Sequence, residues 1–122
     1  MAGTITIIAG ATYSDTITIY DSAGDQIALT SEDRLKFKIA TGLGIADEDA
    51  TFFADSDESG SELTIAGGVG VLVIPDSISA AMVGAENKNF KWQVRYISSD
   101  GVVNDTDQGV VLLDASLFDD EA

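Results

Sequence analysis

The chain has no cysteine and no histidine among its 122 residues. Without cysteine there is no disulfide, no thiolate metal site and no sulfur nucleophile. Without histidine the commonest general base and the commonest metal ligand are missing, and Ser-His-Asp and Cys-His catalysis are excluded. Basic residues are scarce: six Lys and Arg stand against 21 Asp and Glu, a formal net charge of −15. A field of that sign repels phosphate backbones and anionic lipid surfaces, so neither a nucleic-acid nor a membrane partner is expected. No apolar run approaches the roughly 18 residues of a membrane-spanning helix. Met1 to Thr6 carry neither a basic stretch nor a long apolar one. The sequence therefore predicts synthesis in the cytoplasm without a signal peptide. A glycosidase pair of carboxylates needs no histidine, but nothing among 21 acids singles one pair out. No catalytic residue, enzyme activity, cofactor or resident metal is predicted.

What is present reads as a folded β protein. The hydrophobic fraction, 45%, is ordinary for a globular chain and argues against global disorder despite the charge. The length fits a single domain, predicted over residues 1–122 with 114–122 as an acidic C-terminal tail. Short runs rich in β-branched residues alternate with Gly, Asp, Asn and Ser. Strands are predicted at 4–8, 13–20, 26–29, 34–40, 62–66, 70–74, 89–98 and 108–113, with a further one near 50–54. Asp21 to Asp25 reads as a hairpin turn with Gly24 free to take positive φ. Gly67-Gly68-Val69-Gly70 lacks dinucleotide and P-loop spacing and reads as another tight turn. Pro75 is followed by the one predicted helical turn, at 78–82. These pieces predict an all-β, Ig-like antiparallel sandwich of about 7–9 strands with one short helical turn.

All six basic residues fall in two stretches, Arg34 to Lys38 and Lys88 to Arg95. In both, charges alternate with large apolar residues, the period-two signature of a half-buried strand. Leu35, Phe37 and Ile39 face one way and Arg34, Lys36 and Lys38 the other. Phe90, Trp92, Val94 and Tyr96 line a core face, with Lys91, Gln93 and Arg95 outside. That register points to a core tryptophan more than to a ligand-stacking one. If the two strands pair, Arg34, Lys36, Lys38, Lys91 and Arg95 form a basic stripe suited to docking on an acidic partner. The same pattern fits neutralisation of the chain's own acids across strands.

Gly10-Ala11-Thr12-Tyr13, Ile17-Thr18-Ile19-Tyr20-Asp21, Gly24-Asp25 and Ala28-Leu29-Thr30 follow one another in a set order. Val73-Ile74-Pro75-Asp76-Ser77-Ile78, Phe90-Lys91-Trp92-Gln93-Val94-Arg95-Tyr96, Asp100-Gly101 and Gln108-Gly109-Val110-Val111-Leu112 complete it. Over roughly residues 10–113 this order resembles the small Ig-like β-sandwich structural proteins of tailed bacteriophages, including the N-terminal domain of baseplate upper proteins. The acidic stretch Ala46 to Glu62 and the net charge depart from that pattern. The resemblance implies a non-enzymatic virion structural protein, made in the bacterial host. It would bind other virion proteins as a capsid decoration or cement subunit, or as a tail or baseplate accessory, in a homo-oligomer or symmetric array. Edge strands such as 4–8 or 108–113 would add backbone pairing to a partner's sheet.

The alternative is a small carbohydrate-binding or adhesion module assisted by calcium. Asp55-Ser56-Asp57-Glu58-Ser59-Gly60 imitates the start of an EF-hand loop, but the twelfth position is Ala66 where a glutamate is required. An irregular site would draw on Asp47, Glu48, Asp49, Asp55, Asp57 and Glu58, or on Asn104 to Asp107. The same residues also read as solvated acidic loops.

Overall fold

The computed structural model describes residues 4–8, 10–42, 44–82 and 90–114, the side chains of 105–107 and 114 excepted. The chain opens with β1 (Thr4–Ile8), whose alternation buries Ile5 and Ile7 and leaves Thr4, Thr6 and Ile8 exposed. β2 (Tyr13–Ile17) and β3 (Ile19–Tyr20) follow, separated at Thr18, and β4 (Gln26–Ile27) pairs back on β3. Their turn is fixed by the Asp21 carboxylate, whose Oδ1 accepts the N–H groups of Ala23 and Asp25, each at 2.9 Å. Gly24 takes φ +86° there. β5 (Arg34–Ala40) leads through a 3-10 turn at Asp47–Asp49 to β6 (Phe52–Asp55). β7 (Leu63–Ala66) and β8 (Val69–Ile74) form a hairpin whose two turn residues, Gly67 and Gly68, both have positive φ (+61° and +83°). A two-residue loop of this hand demands that at both positions. α1 (Asp76–Ala81) starts directly after Pro75, and β9 (Phe90–Ile97) and β10 (Val103–Asp114) complete the described chain.

Five strands form one sheet in the order β1-β10-β9-β5-β6, and three form another in the order β2-β8-β7. This division of strands is that of the immunoglobulin sandwich, and the fold is all-β as the sequence predicts. Ten strands are described against the seven to nine expected, because two-residue β3 and β4 form their own ladder. One pair is parallel rather than antiparallel: β1 lies beside β10 from Thr4↔Val110 to Ile8↔Asp114. A parallel pair needs a long crossover, and here the intervening sandwich is that crossover.

β10 also begins at Val103, five residues before the predicted strand. Asn104 to Asp107 look like loop residues locally, but their backbone pairs with β9 through a register shift between Asp105 and Asp107. β10 ends at Asp114; residues 115–122 of the predicted tail lie outside the described ones, as does Lys88. Because β10 sits between β1 and β9, residues 108–113 are not an edge, whereas β1 is one. The edge-pairing expected of 108–113 is thereby ruled out.

The core lies between the two sheets. Leu35, Phe37 and Ile39 from β5 and Phe90, Trp92, Val94 and Tyr96 from β9 meet Ile17, Leu63, Leu72 and Ile74 in one buried cluster. Phe37 stacks on Trp92 with centroids 6.1 Å apart and planes 20° off parallel. Trp92 is 1% exposed, and its Nε1 has no hydrogen-bond partner among the described residues. α1 is pinned to the turn after β1 by buried Ser79, whose hydroxyl donates to the Ala11 carbonyl at 2.7 Å.

The sheets approach closely at Gly70, where an added Cβ would stand 2.5 Å from Leu35 Cδ1 and 3.2 Å from Ile17 Cβ. Gly70→Ala should therefore force β8 away from β5 and lower stability by about 1–3 kcal/mol, read as a lower urea midpoint at unchanged slope. An unchanged midpoint would show that Leu35 can move aside at no cost.

Candidate docking face

Strands β5 and β9 pair antiparallel from Arg34↔Ile97 to Ala40↔Lys91. Residues opposite one another share a face, so the register that turns Phe37 and Val94 inward turns the cations outward. Lys36 stands opposite Arg95, Lys38 opposite Gln93, and Lys91 opposite Ala40. The five predicted residues Arg34, Lys36, Lys38, Lys91 and Arg95 thus share the outer face of the larger sheet.

Their charges are not equally free. Arg34 forms a forked pair with Asp55, Nε donating to Oδ1 at 2.9 Å and Nη2 donating to Oδ2. Its Nε lies 3.6 Å from the Asp57 carboxylate as well. Asp55 is buried, and its Oδ1 also accepts the Asp57 N–H at 3.0 Å. The hydrogen bond from Arg34 is the main cause holding the Asp55 carboxyl below its ordinary pKa. Burial opposes it, and the Asp57 amide and the charges of Arg34 and Lys36 assist. Lys38 donates from Nζ to Asp47 Oδ1 at 2.9 Å and to the Ile45 carbonyl, which draws the segment after β5 over its end. Arg95 is exposed, and its register neighbours are Lys36 and Asp105. Among the described residues neither Lys36 nor Lys91 forms an ion pair. Part of the stripe therefore neutralises the chain's own acids, and part of it, among the described residues, faces outward outside any ion pair.

Beside Lys91 the face is hollowed into a groove of about 530 Å³. Its walls are Gly42, Gly44 and Ile45 on one side and Gln108 to Val110 on the other, with Lys38, Ala40, Lys91 and Gln93 among the residues between. Among the described residues two lysines and two glutamines line it and no carboxylate does. Val110 and Leu112 on β10 continue the face as exposed apolar residues.

Several acids of the proposed calcium loops are engaged within the chain. Both Asp55 oxygens are engaged by Arg34, Asp47 is engaged by Lys38, and the backbone of Asn104 to Asp107 is strand. Among the described residues no group of three acids converges on a point suited to a cation.

Sequence reasoning missed the role of Asp33, which is buried. Its Oδ2 accepts the Thr30 N–H at 2.9 Å, and its Oδ1 accepts the Ser99 N–H at 3.1 Å and the Tyr96 hydroxyl at 3.4 Å. Burial, then the nearby Asp33 charge, push the Tyr96 pKa up. Asp33 thereby ties the start of β5 to the end of β9. The groove was also missed, since it depends on Gly42, Gly44 and Ile45 lying beside β9 and β10. No protein-family model and no curated protein matches the chain.

Asp55→Asn should lower stability at pH 7 by about 1–3 kcal/mol, less than for a wholly buried pair because Arg34 keeps access to water. The Asp55 pKa is depressed in the folded state, so its stabilisation is complete above the unfolded value near ~3.9 and is lost as the pH falls through the lower folded value. Urea unfolding of both proteins should then show a constant gap at neutral and mildly acidic pH that closes below about pH 4. A gap that persists undiminished at low pH would mean the pair's charge is not what matters.

Proposed function

We propose that the chain is a bacteriophage virion structural protein, without catalytic activity, that docks on other virion proteins as a capsid decoration or cement subunit or as a tail or baseplate accessory. One observation carries the reading: an acidic domain of net charge −15 gathers cations on the outer face of one sheet, and among the described residues neither Lys36 nor Lys91 is held in an ion pair. The immunoglobulin-type arrangement supports it by analogy of fold, and the absence of histidine and cysteine from the sequence removes the usual catalytic constellations. The partner is an acidic surface on the capsid, the tail or a symmetry-related copy. Edge strand β1 is available to extend a partner's sheet in the same contact. The protein would be made in the bacterial host cytoplasm and reside on the virion. Among the described residues no helix is long and apolar enough to cross a membrane.

Purified protein mixed with capsids and with tails should bind one of them saturably, at regular positions visible by imaging. Binding should weaken as salt rises past physiological strength, where screening acts within about 8 Å. The double variant Lys36→Glu, Lys91→Glu should lose incorporation while keeping the wild-type melting temperature within a few degrees, since both side chains reach solvent. Incorporation at wild-type levels would overturn the proposal.

A further inference from the structure

Strand register lays two cross-strand rows side by side on the outer face of the larger sheet. One runs Lys38, Gln93, Gln108 across β5, β9 and β10, and the next runs Ala40, Lys91, Val110. Ala40 is the short member of the second row, and the groove lies over it. Lys38 is committed elsewhere, since its Nζ donates to the Ile45 carbonyl and to Asp47. That contact holds Ile45 beside the rows as one wall, and Gln108 to Val110 form the other. β5 and β10 stand two strand spacings apart, about 10 Å, which suits one extended chain.

Three donors in the groove have no partner among the described residues: Lys91 Nζ and the side-chain amides of Gln93 and Gln108. Gln93 and Gln108 stand directly opposite one another, and Lys91 is two residues along β9 on the same face. An ionised carboxylate only accepts hydrogen bonds, so it fits three donors better than any neutral polar group. Its bond to a lysine is also roughly twice as strong as a neutral one. The described lining supplies no carboxylate, on a chain with 21 acids. A free anion would meet the −15 field with a single ion pair to offset it. A side chain carried on a docked partner is held at high effective concentration by the rest of the contact.

We infer that the groove is a carboxylate-binding site for an extended acidic segment of the docked partner, with one Asp or Glu side chain accepting from Lys91 Nζ and from the Gln93 and Gln108 amides. The identity of the partner rests on the docking reading above; the chemistry of the site rests on the groove alone. The face then works in two parts: Lys36 attracts acidic surface in general, and the groove selects a segment narrow enough to enter it.

Hexaglutamate capped at both ends, titrated into the full chain labelled with nitrogen-15, should move the Gln93 and Gln108 side-chain amide signals saturably. Capped hexaglutamine should not. Lys91→Gln should weaken hexaglutamate binding about tenfold, the effect of losing one charge-assisted hydrogen bond. Lys36→Gln removes an equal charge opposite Arg95, four residues or about 13 Å along β9 from Lys91. That exceeds the screening length of about 8 Å, so the loss should stay below about twofold. Neither lysine is buried, so melting temperatures should match the wild type. Equal losses in the two variants would reduce the contact to general charge attraction and overturn the site. Unmoved or unsaturable signals at Gln93 and Gln108 would overturn it as well. Glutarate binding as tightly as hexaglutamate would assign the groove to a free dicarboxylate and overturn the partner segment. The titration uses neither capsids nor tails, so its failure is distinguishable from failure of the virion reading.

Discussion

Seven residue pairs, from Arg34↔Ile97 to Ala40↔Lys91, hold β5 against β9, and both faces of the larger sheet follow from that alignment. On one side it stacks Phe37 on Trp92 and sets Leu35, Val94 and Tyr96 into the core. On the other it collects the cations. Side chains alternate with a period of two, so a slip of one residue would bury lysines and expose the aromatic stack. The large cost of that exchange fixes the register, and with it the position of every charge on the outer face. The charge pattern of this face is therefore tied to core packing: no cation can be moved along its strand without moving a core residue.

The pairing also settles which acids become structural. β6 joins β5 with Asp55 opposite Lys36, and Arg34 reaches across to take both carboxylate oxygens. Ser56 closes the junction: its hydroxyl accepts the Leu35 N–H, and its own N–H donates to the Leu35 carbonyl, both at 2.9 Å. Asp33 does comparable work at the other strand interface by binding Ser99 and Tyr96. Desolvating a carboxylate is costly unless hydrogen bonds replace the lost water, and each of these buried acids has several. Most of the other described acids lie exposed, where water solvates them. Two buried carboxylates thus fasten the edges of β5, while the remainder set the field around the domain.

Local pattern carried much of this in advance. β1 and β5 run over the residues predicted, because strict alternation bounded by turn residues leaves one reading. Gly24, Gly67 and Gly68 sit in turns at positive φ, as their neighbours implied. What local pattern could not convey is which strand lies beside which. The parallel β1–β10 pair and the extension of β10 through Asn104 to Asp107 depend on partners distant in sequence. There, cross-strand hydrogen bonds outweigh a composition that reads as loop. The same limit hid Asp33 and Asp55 among 21 acids, since nothing in their immediate neighbours distinguishes them from the solvated ones. The stripe was visible as alternation. Its division into spent and unspent charges was not, because Asp47 and Asp55 meet it only through the fold.

An acidic body with a small basic face has consequences that a uniformly mixed surface would not. At physiological salt the attraction of Lys36 and Lys91 reaches about 8 Å, comparable to a side chain and one layer of water. Within the same range the rest of the surface, which carries the net charge of −15, repels an acidic partner. Approach in a wrong orientation stays repulsive to contact, and approach with the β5–β9 face forward turns attractive only at close range. Such a surface gains selectivity of orientation at the expense of association rate. For a subunit that takes fixed positions on a repeating acidic lattice, as proposed, orientation matters more than speed. In the docking proposed, the exposed apolar residues Val110 and Leu112 beside the cations would supply the short-range part of the contact, since burying them stabilises only a face already aligned.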